Sequence, residues 1–487
     1  MTNDYLCVHR NRCHFDSRGF EQDGQRWHRK GITIECGPEE SFLICRPRFS
    51  ADPLFYSLTP HALIVSPNWL TALGFLKEYG VKPSLDLQYV RDYLAFQCPL
   101  TSATICREIA FVRNGECVRL NNDQEYRYFV HYPSEIPATR TFEIPDLEKT
   151  LKQQLADTDC DRAFFHLSSG LDSSILAILA AEINPGIQVS VATCQTRGQG
   201  SSDEIDVVRR LASAYGFRLR VFDFTTIDVL KSGRELIETV LGSPIGHPSH
   251  LIRFLLDRQI ARYTTDIVTG RGADESLAGY QWHGSEYADP TSHRKRVRVT
   301  PDTVLRQLFP NDPESAAAYM PQDQEMGDGS EELTLRQRLQ YDFLTIYEAW
   351  NIIDQALATA LNVNVYNPFL DQNLLESLSV LPDHFLLRNG EQKWLLRETF
   401  RRRYPDYVLS SPKRGLRLDL QPYWGDFTPQ ELLDLLYNDS AFGKRYLAES
   451  ACERLIHGTL DGTVNFGWQL WSLYLSSIAY ELLNSEG

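Results

Sequence analysis

Two short stretches of this chain combine small polar residues, glycine and acids in a pattern suited to phosphate chemistry. The first is Ser168-Ser169-Gly170-Leu171-Asp172-Ser173. It follows an apolar run, residues 163–167, that reads as a buried strand, and it leads into an Ala-, Leu- and Ile-rich segment, 173–183, that reads as a helix. In such a strand–turn–helix junction, backbone N–H groups and hydroxyls face an anion and the helix dipole favours negative charge. Asp172 alone would repel phosphate; the conflict disappears if its carboxylate holds Mg²⁺, which bridges to the phosphates. Taken alone, the loop also fits an ordinary helix N-cap. The second stretch, Thr269-Gly270-Arg271-Gly272-Ala273-Asp274-Glu275, follows a strand expected over 266–269 and repeats the arrangement with glycines and an acidic pair. Asp172 and Asp274 could then ligate one Mg²⁺ from adjacent loops. A charged helix start is the structural alternative for the acidic pair.

The elements that must position these loops divide the chain in two. Residues 1–135 carry short strands (42–45, 62–65, 109–112 and 116–120), with an Asn114-Gly115 hairpin turn joining the last two and one helix at 88–96. Residues 131–139 contain two prolines and no periodicity, and read as a linker. From 145 onward the pattern alternates: helix 145–156, the first strand and its helix, a strand at 189–192, a helix from Ser202, a strand at 218–222 and the strand at 266–269. Such alternation predicts an α/β fold with a doubly wound parallel sheet, whose ligands bind beyond the carboxyl ends of the strands. Residues 281–332 are Pro-, Asp- and Ser-rich and read as a mobile insertion over the site, with a solvated basic cluster at 293–298. Helices dominate 333–403, a loop carrying Lys413 follows, and an aromatic helix at 467–483 is expected to pack into the core.

Composition narrows the function. The 487 residues are 43% hydrophobic, with a net charge of -15 and pI near 5.3, which argues against general nucleic-acid binding. The longest clean apolar run, 175–181, is far too short to span a bilayer, and no export signal is visible. None of the ten cysteines is spaced C-x₂-C, so the expectation is reduced thiols in a cytoplasmic protein. His247 and His250 lack further ligands by spacing and read as structural. Thr2 would be an N-terminal nucleophile only if Met1 were removed, and nothing else in the first domain supports that chemistry.

The motifs carry a family resemblance. Ser168-Ser-Gly-Leu-Asp-Ser-Ser174 resembles the SGGLDSS pyrophosphate loop of the asparagine synthetase superfamily of N-type ATP pyrophosphatases. Thr269 to Glu275 with Ala278-Gly279-Tyr280 is similar to its SGEGADE…GGY, Asn367-Pro-Phe-Leu-Asp371 to its VPFLD, Lys393-Trp-Leu-Leu-Arg397 to its KxxLR, and Ser410-Ser-Pro-Lys-Arg-Gly415 to its RxKxGF loop. Arg46-Pro-Arg-Phe-Ser-Ala-Asp-Pro-Leu-Phe-Tyr56 resembles the RDRFGIKPLYY of the glutaminase domain. The resemblance implies ATP-dependent amide formation: a carboxylate attacks the α-phosphate, pyrophosphate leaves, and an amine attacks the acyl-adenylate. It implies that Ser168, Ser169, Gly170, Ser173, Gly270 and Gly272 contact the nucleotide, that Asp172 and Asp274 hold Mg²⁺, and that Lys413 stabilises developing charge. It also implies a degenerate, Ntn-type α+β glutaminase-like domain over 1–135 and an ATP pyrophosphatase domain with a helical C-terminal portion over 145–487.

Departures from the family pattern point to the substrate. Thr2 stands where the glutaminase nucleophile, a cysteine, would be, and no RGPD or NGE counterpart exists. Ser169 replaces a glycine of the first loop. Arg271 replaces the glutamate of the second, and a guanidinium cannot act as a base, although it can clamp a phosphate or carboxylate bidentately. Candidate bases are then Asp354, ranked first, with Glu348 and Tyr347 on the same helix. Asn364 and Tyr366 occupy the Glu and Arg positions of the aspartate-binding ExRxP motif. The pattern is most like the lasso peptide cyclases, which close an isopeptide macrolactam between an Asp or Glu side chain and the N-terminal amine of a precursor peptide. A leader-binding protein and a leader peptidase are the implied partners. A β-lactam-synthetase-like or other small-molecule amide synthetase, and an ammonia-dependent asparagine synthetase, are the alternatives.

Overall fold

The computed structural model describes residues 4–485 except 10–14, 24–25, 38–40, 99, 122–123, 130–142, 157, 187, 198–201, 290–291, 294–296, 313–331 and 410–417. A five-stranded parallel sheet carries both loops: β1 Phe164–His166, β2 Ser190–Thr196, β3 Arg218–Phe224, β4 Asp266–Val268 and β5 Asn364–Tyr366, in the order β3-β2-β1-β4-β5. The strand order reverses between β1 and β4, and at such a switch point adjacent connections leave in opposite directions and open a crevice. Alternate strand residues face opposite sides. Phe164, Ala192 and Ile267 join one apolar core, while Phe165, Val191 and Val268 join another. With both faces covered, the central strands β1 and β4 read as apolar runs, whereas edge strand β3 mixes charged and apolar residues. β5 is the strand the sequence reading absorbed into a helical region. Its three residues are too few to show a period, and only pairing with β4 makes it a strand.

Helix α1 (Leu171–Ile183) starts earlier than its apolar run suggests, which puts Asp172 and Ser173 in its first turn. Helix α2 (Ser202–Tyr215) follows β2. On the other face lie α3 (Ser249–Ile260) and, after α4 (Leu335–Leu344), the long α5 (Ile346–Leu361). α6 (Trp394–Phe400) is short, and α7 (Gly467–Asn484) is almost wholly buried.

The first domain is a sandwich of two antiparallel sheets over a core that includes Leu6, Trp27, Ile34, Ile44, Leu63 and Val118. Its helices Trp69–Glu78 and Leu87–Phe96 share a core with Phe254, Trp424 and Trp471 of the second. Each fully buried Leu or Phe in that shared core contributes roughly 1.5–3 kcal/mol, so the two parts are held together hydrophobically.

Four expectations need correction. Asn114-Gly115 does not close a hairpin, because Ala110–Phe111 pairs with Phe55 and Tyr56 in one sheet whereas Glu116–Asn121 pairs with Phe42–Cys45 in the other. At the turn that crosses between the sheets, Arg113 donates its backbone N–H to Glu116 and its guanidinium to the Leu100 carbonyl of the same domain and the Leu344 carbonyl of the second. Cys45 and Cys117, directly opposite each other on paired strands, form a disulfide, so not every thiol is free. The described part of the insertion is anchored: Thr300 is buried with its hydroxyl on the Leu94 carbonyl, and Asp302–Leu308 is a helix. Nor are the two described ends of its basic cluster simply solvated, since His293 is buried against Tyr341 and Arg298 lies over Phe96, while 294–296 lie outside the described residues. The linker at 131–139 falls outside the described residues. Among these residues, no helix is long and apolar enough to cross a membrane.

Candidate active site

The first loop folds around one hydroxyl. Ser173 Oγ accepts from the Ser168 N–H at 3.1 Å and lies 3.0 Å from Ser168 Oγ, which in turn accepts from the Gly170 N–H at 3.1 Å. Ser169, the replacement for a family glycine, is buried and absent from the positive-φ residues, so its Cβ needs no left-handed backbone; its hydroxyl points to Glu204 Oε1 at 3.4 Å. The second loop must pass close to the first. A Cβ on Gly270 would lie 2.9 Å from Asp172 Cβ and 3.0 Å from the Ser173 nitrogen. Gly272 has φ +95° and precedes the short helix Ala273–Ser276, where only glycine is unstrained.

This approach brings Asp172 and Asp274 to a common point. Lys393, at the head of α6, lies between them, with Nζ 2.7 and 2.6 Å from the two Asp172 oxygens and 2.6 Å from Asp274 Oδ1. Burial opposes the charge on Lys393, but the two carboxylates outweigh it and raise its pKa. An ammonium sharing both carboxylates marks a cation position. Mg²⁺ needs only one or two carboxylates there, with phosphates and water filling the remaining sites. The donor set therefore fits Mg²⁺ held through Asp172 and Asp274. No cluster of three or more His, Cys, Asp or Glu suited to a metal occurs among the described residues. Glu275 next door is fully buried; burial and then the Asp274 charge push its carboxyl up, and Tyr280 donates its hydroxyl to it at 2.8 Å.

Arg271 turns away from this point toward α5. Its Nε is 2.7 Å from Asp354 Oδ2, its Nη2 donates to Asn351 at 2.8 Å, and its guanidinium stacks 5.4 Å from the Tyr347 ring. Asp354 is also 3.4 Å from Arg253 and accepts from Asn367 at 3.0 Å. The network continues from Arg253 to Asp257 at 2.6 Å and from there to His166, on β1, at 2.7 Å. Burial lowers the His166 pKa despite Asp257 beside it. Asp354 is thus held by two guanidinium groups and an amide.

The other candidate bases face the first domain. Glu348 is fully buried, 2.9 Å from Arg46 and accepting the Asn114 N–H at 2.6 Å. The Tyr347 hydroxyl lies 3.5 Å from the Phe49 carbonyl, and burial pushes it up to about 12. The side chains of Asn364 and Tyr366 hydrogen-bond Asp266 at the start of β4, while the Tyr366 carbonyl accepts the Thr269 N–H at 2.9 Å. Lys413 lies outside the described residues. His247 and His250 pack edge-on against Trp468 and Trp350, as expected of structural histidines. The sequence reading left Lys393 without a role and overlooked Arg253, Asp257 and His166. Lys393 was visible inside the KxxLR motif, and His166 as the polar residue in an apolar strand.

A parallel sheet whose two strand–loop junctions meet at the switch point defines an α/β protein with a crevice there. The chain belongs to the asparagine synthase family, whose profile matches residues 146–483. It is 21% identical over 440 residues to asparagine synthetase [glutamine-hydrolyzing] 1 of Bacillus subtilis, an overlap covering 78% of this chain and 66% of that protein. It is 26% identical over 265 residues to a putative asparagine synthetase [glutamine-hydrolyzing] of Mycobacterium tuberculosis, covering 52% of this chain. The chain thus spans 66% of the first relative's length and 39% of the second's. Among solved structures, NMN synthetase from Francisella tularensis overlaps 45% of the chain at 14% identity with a TM-score of 0.22.

Proposed function

We propose that the protein is an AMP-forming ligase that uses ATP and Mg²⁺ to activate a carboxylate as its acyl-adenylate and then joins it to an amine. The observation that carries this reading is the meeting of Asp172 and Asp274 on one cation position, at the mouth of two glycine-bearing loops. Mg²⁺ held there would neutralise the triphosphate and the leaving pyrophosphate. The Ser168, Ser169, Gly170 and Ser173 loop, with Gly270 and Gly272, holds the phosphates, and Lys413 stabilises charge on the transferring group.

The substrate we propose is a precursor peptide whose own N-terminal amine closes a macrolactam on an Asp or Glu side chain, as in lasso peptide cyclases. A leader-binding protein and a leader peptidase would be its partners. Support comes from Arg271: asparagine synthetases place a glutamate there, and this chain places a guanidinium fixed by Asp354, Asn351 and Tyr347. The degenerate first domain then acts as a buttress. Its loop accepts the Asn351 amide on the Ser50 carbonyl at 3.1 Å, and Asn351 holds Arg271. Ammonia-dependent asparagine synthesis is the second reading; the aligned relatives are named as asparagine synthetases, although of the glutamine-hydrolyzing kind. Mass spectrometry with ATP, Mg²⁺ and candidate peptide separates the readings. Loss of one water from the peptide with release of AMP and pyrophosphate supports the cyclase, and amidation of free aspartate supports the second reading. Release of ADP would overturn adenylation altogether.

A further inference from the structure

Lys393 occupies the position a divalent cation would take. Its three oxygen contacts lie at 2.6–2.7 Å and its side chain is 5% exposed, against 13% and 10% for the carboxylates of Asp172 and Asp274. A metal bound at about 2.0–2.1 Å to those carboxylates would claim the same lone pairs, so metal and ammonium cannot share the position. The backbone keeps the lysine there: Lys393 has φ +54°, a left-handed conformation rare for a non-glycine residue, and its N–H is tied to the Leu277 carbonyl at 3.1 Å. Strain of this kind costs of order 1–3 kcal/mol and persists where the surroundings dictate it, here the two-strand turn Leu387–Arg388 with Glu391–Gln392 before it and α6 after it.

With Asp172, Asp274 and Lys393 charged, the cluster carries one net negative charge. Metal alone would invert that charge and leave a buried ammonium beside a dication, an arrangement that strongly disfavours binding. A polyphosphate arriving at the same loops supplies the missing acceptor, and the flexible four-carbon stem of lysine allows its ammonium to turn to it.

We propose that Lys393 is a resident counter-cation that a divalent metal displaces, and that the displaced ammonium moves onto the nucleotide's phosphate oxygens, so that metal and nucleotide bind cooperatively. The inference rests on the two-carboxylate metal position of the proposed function. The test is Mn²⁺ binding, read from the electron paramagnetic resonance signal of free Mn²⁺, with and without the non-hydrolysable α,β-methylene analogue of ATP. In the wild type the analogue should tighten Mn²⁺ binding within the range of about 5- to 150-fold typical of coupled sites. Lys393→Met should bind Mn²⁺ alone about tenfold tighter than wild type and lose that much of the enhancement. Lys393→Arg, which keeps the charge, should retain weak metal-only binding. Unchanged or weaker Mn²⁺ binding in Lys393→Met, with Asp274→Asn abolishing it, would overturn the exchange while leaving the metal site intact. Unchanged binding in Asp274→Asn would overturn the metal site and the exchange together. A second measurement needs no variant: amine acetylation of Lys393 in the wild type, followed by peptide mass spectrometry, should rise when Mg²⁺ is added alone and fall again with the analogue. No rise with saturating Mg²⁺ overturns the exchange.

Discussion

Glu348 separates a catalytic role from a structural one most sharply. Its carboxylate is fully buried between the domains, paired with an equally buried Arg46 and accepting the Asn114 N–H. Glu348→Ala would leave Arg46 charged in a dry site and Asn114 without an acceptor. Removing one partner of a buried pair costs about 3–5 kcal/mol. An orphaned N–H adds about 1–3 kcal/mol. Because these effects share one site they are less than additive, and the expected loss is on the order of 4–6 kcal/mol, a large part of the stability of an ordinary domain. The reciprocal Arg46→Met also removes the guanidinium donors to the Ser50, Asp52 and Val112 carbonyls, so it should be at least as damaging. The double variant Arg46→Met/Glu348→Leu should recover part of the loss, since replacing both charges with apolar groups is often neutral. Urea unfolding of all four proteins measures the coupling, and pyrophosphate release at a temperature where each is folded measures the chemistry. A Glu348→Ala protein within about 1 kcal/mol of wild type yet without turnover would refute the structural assignment and return Glu348 to the list of bases.

Other expectations follow from particular contacts. Gly270→Ala should abolish nucleotide binding, measured calorimetrically, without unfolding the protein, because its Cβ would strike Asp172 and the first turn of α1. Asp354→Asn should free Arg271 and Arg253 from their shared anion; a fall in turnover by about tenfold or more together with a lower melting temperature is expected, and unchanged turnover would remove Arg271 from the site. Two sets of buried groups should pull the pH dependence of stability in opposite directions. Burial lowers the His250 pKa to about 3 and also lowers that of His166, so the unfolded chain takes up protons first, and stability is lost as pH falls below about 6.5. Burial raises Glu275 and Asp342, so their contribution is complete at low pH and is lost as pH rises through the raised values. Urea unfolding across pH 4–8 of the wild type and of His250→Gln checks the histidine contribution, since the variant should lose less stability on acidification.

Much of the site could be read from local pattern. The two loops lie between a strand and a helix because apolar runs of β and α length flank them, and their glycines and acids occur at the spacing a phosphate cradle requires. Partner choice was not legible. Asp354, Glu348 and Tyr347 look alike along one helix, yet the helical period and the seating of the first domain turn them to different neighbours: Asp354 to Arg271 and Arg253, Glu348 to Arg46, Tyr347 to Phe49. The Asn114-Gly115 turn misled because a turn signal specifies a reversal of the chain and not which sheet receives the next strand.

The sequence by itself determined the α/β alternation, the identity of the two loops and the two acids they carry, since these depend on periodicity and residue type within a few positions. Only the tertiary structure decided that β4 lies beside β1 and so brings Asp172 and Asp274 to one cation, that Lys393, far along the chain, holds that position, and that Arg271 is fixed by Asp354. Those pairings join residues widely separated in sequence. They arise because burying both faces of the sheet forces the strands into one order, and that order sets which side chains meet.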